Sequence, residues 1–394
     1  MDKINNFKTP YFVIDELELE KNIYEFHKSL KRYWNNYIIG YSCKTNSLPW
    51  VLNFVKEKKC FAEVVSDYEM ELAKLVGFNN DEIIFNGPNK GKEKFIEAVK
   101  NDVIINIDSW REINWLKNFN FNKEIRLGIR VNFDLENECP GETSFGKDGS
   151  RFGFSFENGD LERAINILNN INNVKVVGIH IHNTAKTRSV KIYQAIARQA
   201  CKIADFFEYN LDYVDIGGGF FGGVPGKPTY DDYMSKISEE LSKKYDKNIT
   251  KLIVEPGSAI IGSSVKFICE VVDVKDTFSK RIVTINGSRH NVDPFMRKTT
   301  YFLEIQSKRD NIFKEQVICG YTCLDNDRLV TLKDKNELQI GDKLIFNKVG
   351  AYTMALSPLF IEYFPDIYVN SPKGEYKLVR KAWSVNEYMQ NSIL

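Results

Sequence analysis

Between about residues 37 and 256 the chain alternates between two textures. One is a short, nearly unbroken apolar run rich in β-branched residues. The other is a longer segment whose apolar positions recur every three or four residues. The short runs are YIIGYSCK (37–44), CFAEVV (60–65), EIIFN (82–86), DVIINI (102–107), IRLGIRV (125–131), KVVGIHIH (175–182), YVDIG (213–217) and KLIVEP (251–256). Strands covered on both faces have to be apolar at successive rather than alternate positions, and these runs are. Between them, DYEMELAKLV turns Met70, Leu72, Ala73 and Val76 to one side. The stretch from Ile192 places Ile192, Ala195, Ile196, Ala200, Ile203 and Phe206 at helical intervals. Eight strands, each with a helical connection, predict a closed parallel (β/α)8 barrel of the α/β class. A doubly wound open sheet is the rival, but it rarely needs so many regular units.

The flanks read differently. YFVI (11–14) is a short strand, and Asp15 with Glu18 forms a capping-box pattern before a helix with Leu19, Ile23, Phe26 and Leu30 on one face. After residue 260 come strands without long helices: KFICEVVDV, RIVTING, YFLEI, QVICGY, RLVTL, KLIFN and IEYF. The expected organisation is a barrel over 15–260 and an antiparallel β-rich domain over 261–394 that also takes the N-terminal strand of residues 1–14.

Composition narrows the classes without choosing among enzymes. The chain is 394 residues long, long enough for two cores, with 43% apolar and 27% charged residues and a net charge of +1. A balanced charge gives no broad field toward nucleic acid or membrane, so neither is expected as a partner. The seven cysteines show no metal-ligand spacing, no metal is expected, and reduced thiols in a cytoplasm are the default. The start MDKINNFKTPYFVID lacks the apolar core of a signal peptide, and no apolar stretch is long enough to span a bilayer.

Catalytic groups of such a barrel gather at the carboxyl ends of its strands. There the runs place Lys44, Glu63, Asn86, Arg130, His182, Asp215 and Glu255. A lysine can form a Schiff base with an aldehyde cofactor. Gly217, Gly218 and Gly219 expose backbone N–H groups able to cradle a phosphate. A carboxylate such as Glu255 can keep a pyridine nitrogen protonated, which makes the ring an electron sink. Those are the three needs of pyridoxal 5'-phosphate (PLP). Taken singly each residue has a plainer explanation: a solvated lysine, a flexible glycine turn, a strand-ending glutamate, a satisfied core histidine. Their joint placement at one mouth is what favours the cofactor.

The motifs YSCKTNS around Lys44, VVSDYE (64–69), SRFGF (150–154), GIHIH (178–182), DIGGGF (215–220), EPG (255–257), CGYTCLDND (319–327) and GAYT (350–353) occur in the order seen in the fold-type III PLP-dependent decarboxylases. From about residue 9 to 365 the chain resembles these relatives of diaminopimelate and ornithine decarboxylase, whose barrel is shared with alanine racemase. The resemblance implies that Lys44 anchors PLP, that His182 stacks on its ring, and that Glu255 pairs with the pyridinium nitrogen. It implies a phosphate site of Gly217–Gly219 with backbone from the EPG segment (Gly257) and with Tyr352, and a proton donor in Cys323, offered to the neighbouring subunit of a homodimer. Glu63 and Arg130 join the cofactor-binding set at the strand ends.

Four departures bear on the substrate. HNTA (182–185) lacks the usual glycine–serine, so one phosphate hydroxyl is either missing or supplied by Thr184 or Thr187. Ser258 stands where an arginine is usual. Leu324 follows Cys323 where an acid usually meets a distal amine, with Asp325 as a stand-in. MRKTTY (296–301) resembles the arginine–tyrosine pair, Arg297 and Tyr301, that grips a distal carboxylate. Together with Tyr352 these form the expected substrate-binding set. The expected substrate is an α-amino acid with a neutral, acylated or carboxylated distal end, either free or conjugated. Examples are a siderophore intermediate or a glutamate carried on a protein, and Thr187–Arg188–Ser189 is a further segment able to hold such a group. An amino-acid racemase on the same barrel is weakened by Glu255, where racemases place arginine. A non-catalytic paralogue is disfavoured by Lys44, Glu255 and Cys323 standing together.

Overall fold

The computed structural model describes residues 7–144, 146–183, 185–307 and 309–393. They form two compact units: residues 22–260, and the N-terminal segment up to Lys21 together with residues from Ile261 onward. The first six residues of the expected N-terminal strand segment lie outside the described residues. No described helix is long and apolar enough to cross a membrane.

The chain starts with β1 (Tyr11–Asp15) and α1 (Glu16–Tyr33), which buries Leu19, Ile23, Phe26 and Leu30. Only half of the expected capping box forms. The Glu18 N–H donates to Asp15 Oδ1 at 3.1 Å, but the Glu18 carboxylate accepts from the Ser263 hydroxyl, and the Asp15 N–H donates to the Ser264 carbonyl. The barrel follows as β2 (Tyr37–Ser42), α2 (Pro49–Glu57), β3 (Phe61–Val64), α3 (Asp67–Val76), β4 (Ile83–Phe85), α4 (Lys92–Lys100), β5 (Ile104–Ile107), α5 (Trp110–Lys117) and β6 (Ile125–Asn132). A two-residue strand β7 (Phe154–Ser155) precedes α6 (Asp160–Asn169), β8 (Val174–His180), α7 (Val190–Ile203), β9 (Tyr213–Asp215), α8 (Tyr230–Leu241) and β10 (Lys251–Val254). The strands pair in parallel in the order β5-β4-β3-β2-β10-β9-β8-β6, and β5 pairs β6, which closes the ring. Several strands stop short of the apolar run that predicted them, because their last residues bend away to form the mouth. Phe206 departs from expectation: the helix tightens into a 3-10 turn over Ala204–Phe206 and leaves that ring exposed.

Tyr213 fills the inside of the barrel. It packs with Ile38, Ile84, Val177 and Ile253. The facing strands make room with Gly128 and Gly178, where an added Cβ would lie 2.1 Å and 2.3 Å from Tyr213 atoms. The buried Tyr213 hydroxyl then has to find an acceptor, and Asn106 Oδ1 supplies it at 2.9 Å.

In the other unit β1 pairs antiparallel with β11 (Val265–Asp276) and parallel with β17 (Asp366–Asn370). The remaining strands are β12 (Arg281–Ile285), β13 (Phe302–Gln306), β14 (Ile312–Cys319), β15 (Arg328–Asn336), β16 (Lys343–Asn347) and β18 (Tyr376–Arg380). Pairing is mostly antiparallel, but β12 and β14 run parallel, so the sheet is mixed. IEYF (361–364) is not a strand. Ile361 sits at φ 71°, and the strand begins only at Asp366, beyond Pro365, which has no N–H for a ladder. Short helices α9 (Ser258–Ile261), α10 (Arg289–Val292), α11 (Thr353–Leu356) and α12 (Val385–Met389) complete the chain.

Candidate active site

Lys44 lies on a 3-10 turn directly after β2, and its Nζ meets Glu63 Oε2 at 2.6 Å. The lysine side chain is 41% exposed and the glutamate 1%, so an amine at the open mouth is tethered to a buried carboxylate. Ser42 steadies that carboxylate, donating to Glu63 Oε2 at 2.7 Å.

The strands next to β2 on one side, β10 and then β9, carry acids at the mouth. Asp215 ends β9 and Glu255 follows β10, and each offers an oxygen within 4.8 Å of a ring nitrogen of His180 and of the other. Burial pushes the Asp215 carboxyl well above the usual carboxylate range, and the Glu255 charge adds to the shift. Burial raises Glu255 too, but His180, the neighbouring Asp215 carboxyl and the charge of Lys44 outweigh it and hold Glu255 below its usual range. One proton is therefore shared, on Asp215, while Glu255 stays ionised. A polar relay fixes the orientation of Glu255: Tyr213 donates to Asn106, Asn106 to Asn86 Oδ1 at 2.8 Å, and Asn86 to Glu255 Oε1 at 2.5 Å. His180 Nε2 is 3.3 Å from Glu255 Oε2, yet neither of its buried ring nitrogens makes a hydrogen bond, and Asp215 Oδ2 makes none.

Across β8, His182 stands parallel to His180, with ring centroids 6.4 Å apart. The Gly218 N–H donates to His182 Nδ1 at 3.3 Å, which requires that nitrogen to be unprotonated. Burial lowers the imidazole to a pKa of about 3, with the charge of Arg130 adding to the shift. Arg130 itself is clasped by Asp108 at 3.0 Å and lies over the Phe152 ring, while its Nε is buried without a partner. The SRFGF motif serves this arginine: Gly153 donates to Asp108, and a Cβ there would sit 2.6 Å from the Arg130 carbonyl.

The glycine run has no room for side chains. A Cβ on Gly217 would fall 2.4 Å from His182, and one on Gly218 would fall 2.0 Å from the Glu255 carbonyl. Gly257 is equally tight against Thr45. The barrel thus brings together Lys44, Glu63, Arg130, His182, Asp215, Gly217–Gly219, Glu255 and Gly257. Thr184 lies outside the described residues. The Thr187 hydroxyl donates to Glu142 at 2.6 Å, away from the stand-in role expected of it.

The remaining candidates belong to the other unit. Cys323 is exposed in the loop after β14. Asp327 shapes that loop, accepting from the Thr322 hydroxyl at 2.6 Å and from the Arg289 N–H at 2.8 Å. Arg289 also pairs with Asp293 at 3.0 Å, and Asp293 accepts from the backbone of Arg297 and Lys298 and from the Tyr301 hydroxyl at 3.5 Å. The Arg297 guanidinium lies over Phe295, whose other neighbour is the Tyr352 ring at 5.3 Å. Tyr352 takes the left-handed conformation ahead of α11, with φ 68°. The Asp325 carbonyl accepts from Arg328.

His180, Asp108, Asp293 and Asp327 went unnoticed in the sequence. His180 shares the strand face of His182 by the two-residue period, which was the available signal. Asp108 had none, since it acts on Arg130 and Gly153, 22 and 45 residues away; Asp327 reaches Arg289, 38 residues back, and only Asp293 acts within its own turn.

The spacing of His180, Asp215 and Glu255 would accept a metal ion as readily as a protonated ring nitrogen. Residues 18–262 match the model of the pyridoxal-dependent decarboxylase, pyridoxal binding domain, which is more than half of the chain. The chain belongs to the pyridoxal-dependent decarboxylases. Its cofactor is PLP, and its chemistry is that of a carboxy-lyase acting on an amino acid. Diaminopimelate decarboxylase of Aquifex aeolicus is 24% identical over 98% of this chain and 92% of its own length. That of Methanocaldococcus jannaschii is 25% identical over 98% and 92%. Its crystal structure superposes with a TM-score of 0.88 at 23% identity, covering 98% of this chain and 93% of that one. An arginine decarboxylase from Paramecium bursaria Chlorella virus shares the fold at a TM-score of 0.76 and 19% identity, over 92% and 96% of the two chains. The site of this decarboxylase fits PLP: an amine at the mouth, an ionised carboxylate with orphaned polar neighbours, and a glycine cradle whose Cβ positions are blocked.

Proposed function

We propose that this decarboxylase removes the α-carboxylate of an amino acid whose distal end is neutral, acylated or carboxylated, free or as a conjugate such as a siderophore intermediate or a carrier-bound glutamate. The observation that carries the substrate reading is Leu324, an apolar side chain next to Cys323. A substrate ammonium buried beside it would lack a partner, at a cost on the order of several kcal/mol. The names of the relatives favour diaminopimelate as a second reading, and the Arg297–Tyr301 segment suits its distal carboxylate.

PLP, when bound, supplies an aldehyde and a conjugated ring that accepts the electron pair of the broken bond. Geometry, charge and the family resemblance support the roles proposed for the protein. Lys44 provides the anchoring amine, and Glu63 keeps it in place. Glu255, ionised and aimed by Asn86, would hold a proton on the ring nitrogen. His182, uncharged, would stack on the ring without competing for that proton. Gly217–Gly219 and Gly257 bind phosphate through backbone N–H groups. Arg130 and Tyr352 complete the cofactor set, and Arg297, Tyr301 and Asp325 the substrate set. The partner's Cys323 returns a proton to Cα in a cytoplasmic homodimer, a role supported by its exposure and by the family's motif order.

The test is carbon dioxide release from a panel holding meso-diaminopimelate, ornithine, arginine, glutamate and N-acylated or carboxylated diamino acids. Fastest turnover of an acylated or carboxylated compound supports the proposal. Fastest turnover of ornithine or arginine defeats it, and a preference for diaminopimelate selects the second reading.

A further inference from the structure

Two loops abut along the phosphate side of the mouth. A Cβ on Gly218 would meet the Glu255 carbonyl, and one on Gly222 would meet the Ala259 carbonyl at 2.2 Å. Where these loops open outward, Arg188 touches both. Its Nη1 donates to Ser258 Oγ at 3.4 Å, and its guanidinium lies 5.3 Å from the centroid of the Phe221 ring. Lys227 lies over the same ring at 5.2 Å. Among the described residues neither cation has a carboxylate in ion-pair reach. Two positive charges over one ring, with no acid to balance them, favour an anion between the loops.

The backbone presenting Arg188 is held on every side. The residue has φ 53°, a conformation that costs energy outside glycine. Its carbonyl accepts from the Tyr233 hydroxyl at 2.6 Å. Its neighbours Thr187 and Ser189 both donate to Glu142, and Ser189 caps α7. An arginine kept in a costly conformation by bonds from three segments is placed, not merely solvated.

We propose that Arg188 is a ligand of the cofactor phosphate, closing the cradle of Gly217–Gly219 and Gly257–Ser258. The inference rests on the reading that the phosphate sits on this glycine run. A guanidinium brings paired donors and a full charge to a phosphate oxygen.

The test compares PLP with pyridoxal, which has the aldehyde and ring but no phosphate. Dissociation of PLP from the diluted holoenzyme is followed by loss of cofactor absorbance, and pyridoxal affinity is measured by titration of stripped protein. Arg188→Ala should weaken PLP retention on the order of tenfold to a hundredfold, the range of a charge-assisted hydrogen bond, while leaving pyridoxal affinity within about twofold. Arg188→Lys should fall in between. Parallel weakening of both ligands would mean that Arg188 only shapes the loops, and no change in either would make it a solvent or substrate contact. Both results overturn the proposal. Failure of the unsubstituted protein to bind PLP at all would sink the reading of the site itself, a separate and recognisable outcome.

Discussion

Asp215 and Glu255 cannot both be charged at their separation in a dry pocket, so the proton settles on the one with fewer compensating partners. That leaves Glu255 as the permanent anion, the charge required for its proposed pairing with the ring nitrogen. Glu255→Gln should keep bound cofactor but lower kcat on the order of a hundredfold to a thousandfold, as loss of a preorganised charge does, read by steady-state kinetics beside cofactor absorbance. Lys44→Ala should abolish the borohydride-reducible adduct, and an adduct persisting at the same place would refute the anchor. His182 gives a pH signature. Its folded pKa of about 3 lies below the unfolded value of about 6.5. Between these values the unfolded chain binds a proton that the folded one refuses, so this contribution is intact above about pH 6.5 and lost as pH falls toward 3. Urea unfolding across that window should show unsubstituted protein losing stability relative to His182→Gln as pH falls; parallel curves would contradict the assignment.

At the scale of elements, the relay from Tyr213 through Asn106 and Asn86 to Glu255 ties the barrel's interior packing to its mouth. Gly178→Ala would drive a methyl group into the Tyr213 ring, and overpacking of this kind costs about 1–3 kcal/mol. The expected result is a lower urea midpoint together with a changed pH profile of kcat, because the tilted Tyr213 pulls on the relay. A stability loss with an unaltered profile would show that the relay carries no orientation to Glu255. In the β-rich unit, Arg289 joins Asp327 of the Cys323 loop to Asp293 beneath Arg297 and Tyr301. One arginine thus positions both the proposed proton donor and the proposed carboxylate clamp.

For the whole molecule the proposed homodimer makes a prediction that neither unit makes alone. If each site takes Lys44 from one subunit and the partner's Cys323 from the other, mixing inactive Lys44→Ala with inactive Cys323→Ala should restore activity as subunits exchange. A mixture that stays inactive after exchange is demonstrated would place both groups on one chain. The barrel order, the lysine, the glycine run and the strand-end acids were legible in the chain because period and motif are local properties. The strand pattern overruns the strand ends, since it persists into residues that bend out to build the mouth. Phe206 was misassigned because a helical repeat cannot announce where a helix tightens, and IEYF because an apolar run cannot show that Pro365 denies it a ladder. Asn106, Asp108 and Asp327 were invisible for a deeper reason. Which residues bear on catalysis is written along the chain as side-chain chemistry, but which acid keeps the proton and which amide aims the carboxylate depend on burial and hydrogen bonds between strands far apart in sequence, and only closure of the barrel creates them.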